Sequence, residues 1–397
     1  MAKNVACAGF RFAGLSCGIK TTPKFDLGLI VAEKDIPTAA VFTRNQVRAA
    51  PVELSERNVK SGLARAIIVN SGNANACTGP RGESDAQAMA HYASKAIGCS
   101  EKRILVASTG IIGQPLPVGK IVEATPRLTI SARADGLENF TRAIMTTDRF
   151  EKRALELVAI GPKSRGRIVG VAKGAGMISP NMATTLGFLV TDVAVTGAFL
   201  KSALRDAVDD TFNCASVDGD TSTNDSVFVM ASGALKNRPI DGGKAGEEFK
   251  RALHTVLDNL IHQIVRDGEG ANHVVTIEVM GAPGAGPAET IARAIGRSPL
   301  VKTAFFGTDP NWGRIVCAIG NAGVKIDPSK IDVAVGEVEL VRAGVGVGPA
   351  AESAAHEVMR RGEYSLRVHL HGGSGKAKHI TCDMGTEYVK LNADYRS

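Results

Sequence analysis

Residues Met177 to Phe188 read MISPNMATTLGF. Pro180 removes a backbone donor just ahead of an apolar run suited to a strand. A small residue, Ala183, then precedes two hydroxyls, Thr184 and Thr185. A threonine hydroxyl inside a chain is a poor nucleophile, because an amide nitrogen is not a base. A break on its N-terminal side changes that. The residue then carries a free α-amine, with a reference pKa of about 7.7–8, and this amine can take the proton from its own hydroxyl. The same hydroxyl can make the break, attacking the carbonyl of Ala183 and passing through an ester. On residue types alone the stretch fits either a self-processing site or a β-branched pair favoured in a strand.

Three other stretches invite chemistry. EVMGAPGAGPAETIARAIG, from Glu278, suggests a strand, a Gly loop and a helix. Pro287 and Ala288 stand where a phosphate loop needs Lys and Ser or Thr, which favours a plain turn. DGDTSTND, from Asp218 to Asp225, resembles a calcium loop but lacks the central Gly and has Val229 at the twelfth position. A polar turn feeding a buried strand fits better. His369 and His371 alternate on one strand face without an evident third ligand, so no metal is expected.

The elements that must position these groups follow from hydrophobic periodicity. Strands are expected at RAIIVNSG from Arg65, RILVASTG from Arg103, RIVGVAKG from Arg167 and ATTLGFLVTDVAV from Ala183. More are expected at SVFVMASG from Ser226, HVVTIEVMG from His273, VKTAFFG from Val301, IDVAVGEVEL from Ile331, SLRVHLHGG from Ser365 and EYVKLNA from Glu387. Helical patterns cover Ser84 to Ile97, Thr196 to Phe212, Gly243 to Val265, Ala288 to Ile295 and Pro349 to Arg361. Helices are fewer than strands and do not alternate with them one for one. That favours an α+β layered fold over a doubly wound parallel sheet.

Composition sets the outer limits. Of 397 residues, 44% are apolar and 22% charged, enough for one large or two medium cores. The net charge of +7 is dispersed, without basic runs or interleaved aromatics, so nucleic acid is not an expected partner. The start of the chain lacks the apolar core of a signal peptide, and no 18-residue apolar stretch is present to span a membrane. Seven scattered cysteines with no C-x-x-C read as reduced thiols of a cytoplasmic protein.

The segment KGAGMISPNMATTLGFLVTD, from Lys173, resembles the processing segment of the ornithine acetyltransferase family, also called bifunctional glutamate N-acetyltransferases. VFTRNQVRAAPV from Val41, IVNSGNANACTG from Ile68, ASTGIIGQPLP from Ala107 and AIMTTD from Ala143 are similar to it too. So are VDGDTSTND from Val217, RDGEGA from Arg266, DPNWGRI from Asp309 and YVKLNADY from Tyr388. The resemblance runs in order along essentially the whole chain. It implies self-cleavage at Ala183-Thr184, giving chains 1–183 and 184–397 that stay interleaved in one self-processing fold of stacked sheets flanked by helices. Thr184 would be the nucleophile, because the family's Thr directly follows Ala, and Thr185 is out of register. Thr109 and Gly110 would form the oxyanion hole. The implied substrate contacts are Thr147 (with Thr146 as the adjacent alternative), Lys173, Thr184, Glu269, Asn392 and Ser397.

The implied reaction is two-step acetyl transfer from N-acetylornithine to glutamate in arginine biosynthesis, by an enzyme with two copies of each chain. No cofactor is implied; acetyl-CoA enters only as a donor substrate if the enzyme is bifunctional. An N-terminal-nucleophile aminopeptidase or amidohydrolase, and an ornithine acetyltransferase of a specialised pathway, are the alternatives. Two stretches depart from the family pattern. Asn272-His273 follows GEGA where Thr-Lys is expected, and HGGSGKAKHITCDMG from His371 replaces an acidic, Gly-rich version. Both departures bear on the substrate pocket.

Overall fold

The computed structural model describes residues 7–161, 164–179 and 185–394. Its strands are β1 (Phe10–Leu15), β2 (Leu27–Phe42), β3 (Leu63–Asn73), β4 (Ile104–Ile111), β5 (Lys152–Ala159), β6 (Arg165–Lys173), β7 (Leu186–Thr191) and β8 (Ala215–Ser216). They continue with β9 (Ser226–Ala231), β10 (Val274–Ala282), β11 (Asp332–Val335), β12 (Val338–Arg342), β13 (Val345–Gly346), β14 (Glu363–His369) and β15 (Gly375–Cys382). The fold is α+β, with stacked sheets flanked by helices.

The first sheet runs β4-β3-β2-β9-β7-β6-β5, with β1 added against β2. Strand β2 is long enough to serve two halves. Its start pairs with β3, its end pairs with β9, and the register shifts between Val31 and Ile36. The two halves stack on each other, and side-chain alternation shows why. In β3, Ile67 and Val69 join one apolar cluster while Ala66 and Ile68 join another. In β9, Phe228 and Met230 join the cluster that holds Ile67, while Val227 and Val229 face the opposite way. The shared interior holds Phe12, Ile30 and Leu105 from one half and Val169, Phe188 and Phe228 from the other. The Phe188 and Phe228 rings stack there at 5.6 Å, and Phe140 meets Phe188 edge-on at 5.2 Å. Strands apolar on both faces need cover on both. Helices Ala50–Val59, Gly79–Ile97 and Val118–Ala124 cover the outer face of one half. Helices Gly197–Asp209 and Gly243–Arg266 cover the other.

Helix Gly243–Arg266 buries Phe249, Leu253, Val256, Leu260 and Ile264, a stripe at three- and four-residue spacing. It also packs against the second sheet through Val274 and Ile380. That sheet runs β13-β12-β11-β14-β10-β15-β8, and helices Ala285–Arg297, Pro299–Phe306, Trp312–Gly320 and Pro349–Met359 pack on it. No helix among the described residues is long and apolar enough to cross a membrane.

Two expected strands are helices. VKTAFFG lies in helix Pro299–Phe306, where Pro299 occupies the first turn and the Ser298 side chain accepts from Val301 N. These start signals outweigh the strand propensity of Val301, Phe305 and Phe306. EYVKLNA lies in helix Thr386–Asp394. Its apolar residues are not a buried stripe, since Val389 and Leu391 are exposed. The segment from Ile331 is not one strand but the hairpin β11–β12, turning at Gly336 with φ of +56°.

Candidate active site

Three loop regions and the end of β4 meet beside the start of β7. Strands β6 and β7 are antiparallel neighbours, and Lys173 pairs with Leu186. The chain therefore leaves β6 at Lys173 and returns at Thr185, so the Ala183-Thr184 junction belongs to the connection between two adjacent strands. Ala183 and Thr184 themselves lie outside the described residues, as does Ser397.

The N-terminal side of that connection is held by the loop from Val217 to Asp225. Asp218 accepts from the backbone of Met177 at 2.5 Å and of Ile178 at 2.8 Å. Val217 N donates to Ile178 O at 2.7 Å, and Thr221 Oγ1 to Ser179 O at 2.8 Å. Met177 takes a left-handed φ of +55°, a rare conformation for a side-chain-bearing residue. Burial pushes the Asp218 carboxyl up, and its backbone donors only partly offset this. On the other side, Ser226 N donates to Thr185 O at 3.0 Å.

A cavity of about 200 Å³ opens here. Thr109, Gly110, Thr146, Thr147, Lys173, Glu269 and Asn392 all line it, with Thr185 at its edge. Thus every described residue that the resemblance implicates reaches one cavity. Lining does not separate Thr147 from Thr146. Thr109 and Gly110 sit at the end of β4, opposite Ser71 and Gly72 of parallel β3. Gly110 has φ of +133°, and a Cβ there would collide with the Gly72 backbone, so the position needs glycine. Lys173 Nζ donates to Thr109 Oγ1 at 3.2 Å. A hydroxyl that accepts from a lysine still has its own proton to donate into the cavity. Asn392 Nδ2 donates to Glu269 Oε2 at 2.9 Å, tying the last helix to the loop after helix Gly243–Arg266. Gly176 lets that carboxylate approach, since a Cβ there would touch Glu269.

Behind Lys173 runs a chain of buried charges that sequence reading missed. Lys152 Nζ lies 2.6 Å from Asp148 Oδ1 and 2.6 Å from Asp267 Oδ2, all three side chains being fully buried. Asp148 also accepts from Gly174 N at 2.7 Å and Thr146 N at 2.9 Å. Arg149 Nε closes the chain on Asp267 at 2.9 Å. Burial alone would push the Asp148 carboxyl up, but Lys173 and Lys152 outweigh it and hold Asp148 at about 2. Burial pulls the Lys173 ammonium below its ordinary value, partly offset by Asp148. Asp218, Asp220, Ser222, Asn224, Asp225 and Tyr388 also line the cavity. The stretch DGDTSTND is thus a polar turn into a buried strand, as expected, and also a wall of the site. The available signal was its density of small polar residues immediately before the fully buried SVFVMA.

The two departures from the family pattern meet each other away from the cavity. Asn272 N and His273 N donate to Asp383 Oδ1 at 2.8 and 2.9 Å, and His273 Nδ1 lies 3.2 Å from Asp383 Oδ2. None of these three residues lines the cavity. They join a β10 end to a β15 end rather than shape the pocket.

The likeness to one family runs along the whole sequence. The arginine biosynthesis bifunctional protein ArgJ of Syntrophotalea carbinolica is 44% identical over 390 residues, covering 98% of this chain and 99% of its own length. Its counterpart from Geobacter sulfurreducens is 45% identical with the same coverage. A solved chain of the ArgJ protein from Bacillus halodurans, 39% identical, aligns with a TM-score of 0.51 over 52% of this chain and 98% of its own. A model of the ArgJ family matches residues 11–397. With this end-to-end match, the chain belongs to the ArgJ family.

Proposed function

We propose that the protein is an ornithine acetyltransferase of arginine biosynthesis that cuts itself at Ala183-Thr184. The observation that carries this reading is the convergence of Thr109, Gly110, Thr147, Lys173, Glu269 and Asn392 at the mouth of the β6–β7 connection. These residues are remote in sequence, and one cavity collects them next to the residue that follows Thr184. The names of the full-length relatives support arginine biosynthesis. The solved Bacillus halodurans chain is itself only about half as long as this one, the size a mid-chain cut leaves.

In the mechanism, the freed α-amine of Thr184 takes the proton from its hydroxyl, whose oxygen attacks the acetyl carbon of N-acetylornithine. Thr109 and Gly110 hold the developing oxyanion, the proton passes to the departing nitrogen, and ornithine leaves. The amine of glutamate then attacks the acetyl ester, Thr184 Oγ recovers a proton, and N-acetylglutamate is released. Lys173 suits the α-carboxylate that both amino acids carry. Glu269 accepts from a substrate ammonium, and Thr147, Asn392 and Ser397 complete the contacts. The active form is a soluble, cytoplasmic assembly of two copies of each chain. Acetyl-CoA serves as donor only if the enzyme is bifunctional.

Intact-mass measurement followed by a donor and acceptor assay tests this. The wild type should appear as chains 1–183 and 184–397, with one acetyl on the longer after mixing with N-acetylornithine alone. Thr184→Ala should remain one uncut, inactive chain. Double-reciprocal plots at several glutamate concentrations should be parallel, the mark of a covalent relay. Rapid ornithine release without glutamate would instead identify a hydrolase, and an uncut but active wild type would refute the self-processing reading.

A further inference from the structure

Asp225 precedes β9 and lines the cavity, yet the mechanism above does not use it. It is 3% exposed, and its Oδ2 has no hydrogen-bond partner among the described residues. Its surroundings are otherwise well ordered. Its backbone carbonyl accepts from Thr43 N at 2.9 Å. Its neighbour Asn224 is turned away, donating to Ala74 O at 2.6 Å and Ser108 O at 2.9 Å. Ser222 reaches the carboxyl by hydroxyl and backbone amide. Lys173 lines the same cavity and acts on Asp225 electrostatically. Among the described residues, however, no hydrogen bond or ion pair joins the two, and the Lys173 ammonium donates to Thr109. A fully buried polar atom without a partner is costly, and this one stands on the wall of the cavity that the Lys173 ammonium also lines.

We propose that Asp225 is a second binding group for the substrate carboxylate, its Oδ2–H donating to one carboxylate oxygen while Lys173 Nζ donates to the other. This rests on reading the cavity as the place where both substrates put their α-carboxylate. Burial is the main cause that pushes the Asp225 carboxyl well above its ordinary value, with Ser222 and Lys173 opposing it. A protonated acid donates where a carboxylate would repel the ligand. The arriving anion makes the proton on Asp225 and the charge on Lys173 both more favourable. Binding therefore takes up protons as pH rises through the range in which either group starts to lose its own.

Calorimetric titration of the cleaved protein with L-glutamate, from pH 6 to 9 in two buffers of different ionisation enthalpy, tests this. Asp225→Asn keeps an N–H donor and should bind within about threefold of wild type at neutral pH, whereas Asp225→Ala should weaken binding about tenfold or more. Lys173, Asp218, Asp220, Glu269 and Tyr388 face the same cavity in all three proteins. Wild-type affinity in Asp225→Ala, or Asp225→Asn weakened as much as Asp225→Ala, overturns the inference. Should both variants fail to fold, the α-carboxamide analogue of glutamate decides on wild type alone. Proton uptake should vanish with it, and unchanged uptake overturns the inference. If glutamate binds in the expected pattern but no acetyl transfer occurs, the carboxylate site stands and the transferase reading falls. If transfer occurs and Asp225→Ala binds normally, only the role of Asp225 falls.

Discussion

Thr109 stands at the meeting point of charge and chemistry in this cavity. Its hydroxyl accepts from Lys173, whose charge acts on buried Asp148, itself paired with Lys152. The hydroxyl proton is thereby left for the developing oxyanion of the proposed reaction. Removing one oxyanion donor typically costs about 10²–10³ in rate, so Thr109→Ala should lose that much turnover with its melting temperature unchanged. The cut itself should slow as well, because it passes through a tetrahedral oxyanion of the same kind. A rate within a few-fold of wild type would place the oxyanion elsewhere. Lys173→Met should lose more than Thr109→Ala, since it removes both a carboxylate partner and the group that orients Thr109.

The elements that carry the site were unequally legible. Continuous apolar runs mark β3, β4, β6 and β9 because each is buried on both faces. Reading by pattern misplaces helices Pro299–Phe306 and Thr386–Asp394, which are too short for a period of 3.6 residues to show. The residues of the cavity wall were legible through family resemblance, not through pattern. In the Asp148-Lys152-Asp267 chain, Asp148 and Asp267 lie in the family-like stretches AIMTTD and RDGEGA, but their link was not legible, because Lys152 and Asp267 meet across 115 residues and nothing local distinguishes a buried Lys. That chain fixes the Thr146–Asp148 turn against Gly174. Lys152→Met would leave Asp148 without its closest cation, and breaking a buried pair costs about 3–5 kcal/mol. The expected result is a markedly lower melting temperature together with lost activity; an unchanged melting curve would deny the chain its structural role. The acid limit follows from the same place. Asp148 is depressed, so its stabilisation is complete above the ordinary Asp value of 3.8 and is lost as pH falls towards about 2. Unfolding followed by circular dichroism should show wild type losing stability across that window.

At the scale of the whole molecule, the position of β7 decides what a cut at its doorstep does. Strand β7 lies between β6, from the first half of the chain, and β9, from the second, while β2 reaches across to β9. Phe188 and Phe228 share one apolar interior with Phe12, Ile30 and Leu105. The first sheet takes strands from both proposed fragments, so the pieces should remain together through native chromatography and part only in denaturant. Before the cut, the tether between β6 and β7 makes their pairing a local, first-order event. After it, the same pairing requires two separate molecules to find each other. Denatured cleaved protein should regain structure at a rate and yield that rise with concentration, whereas uncut Thr184→Ala should refold at a rate independent of it. Concentration-independent refolding of the cleaved protein would contradict this topology. Under the proposed self-cleavage the molecule would have used its covalent connectivity as a scaffold for assembly and discarded it, leaving a native state far easier to keep than to reach again.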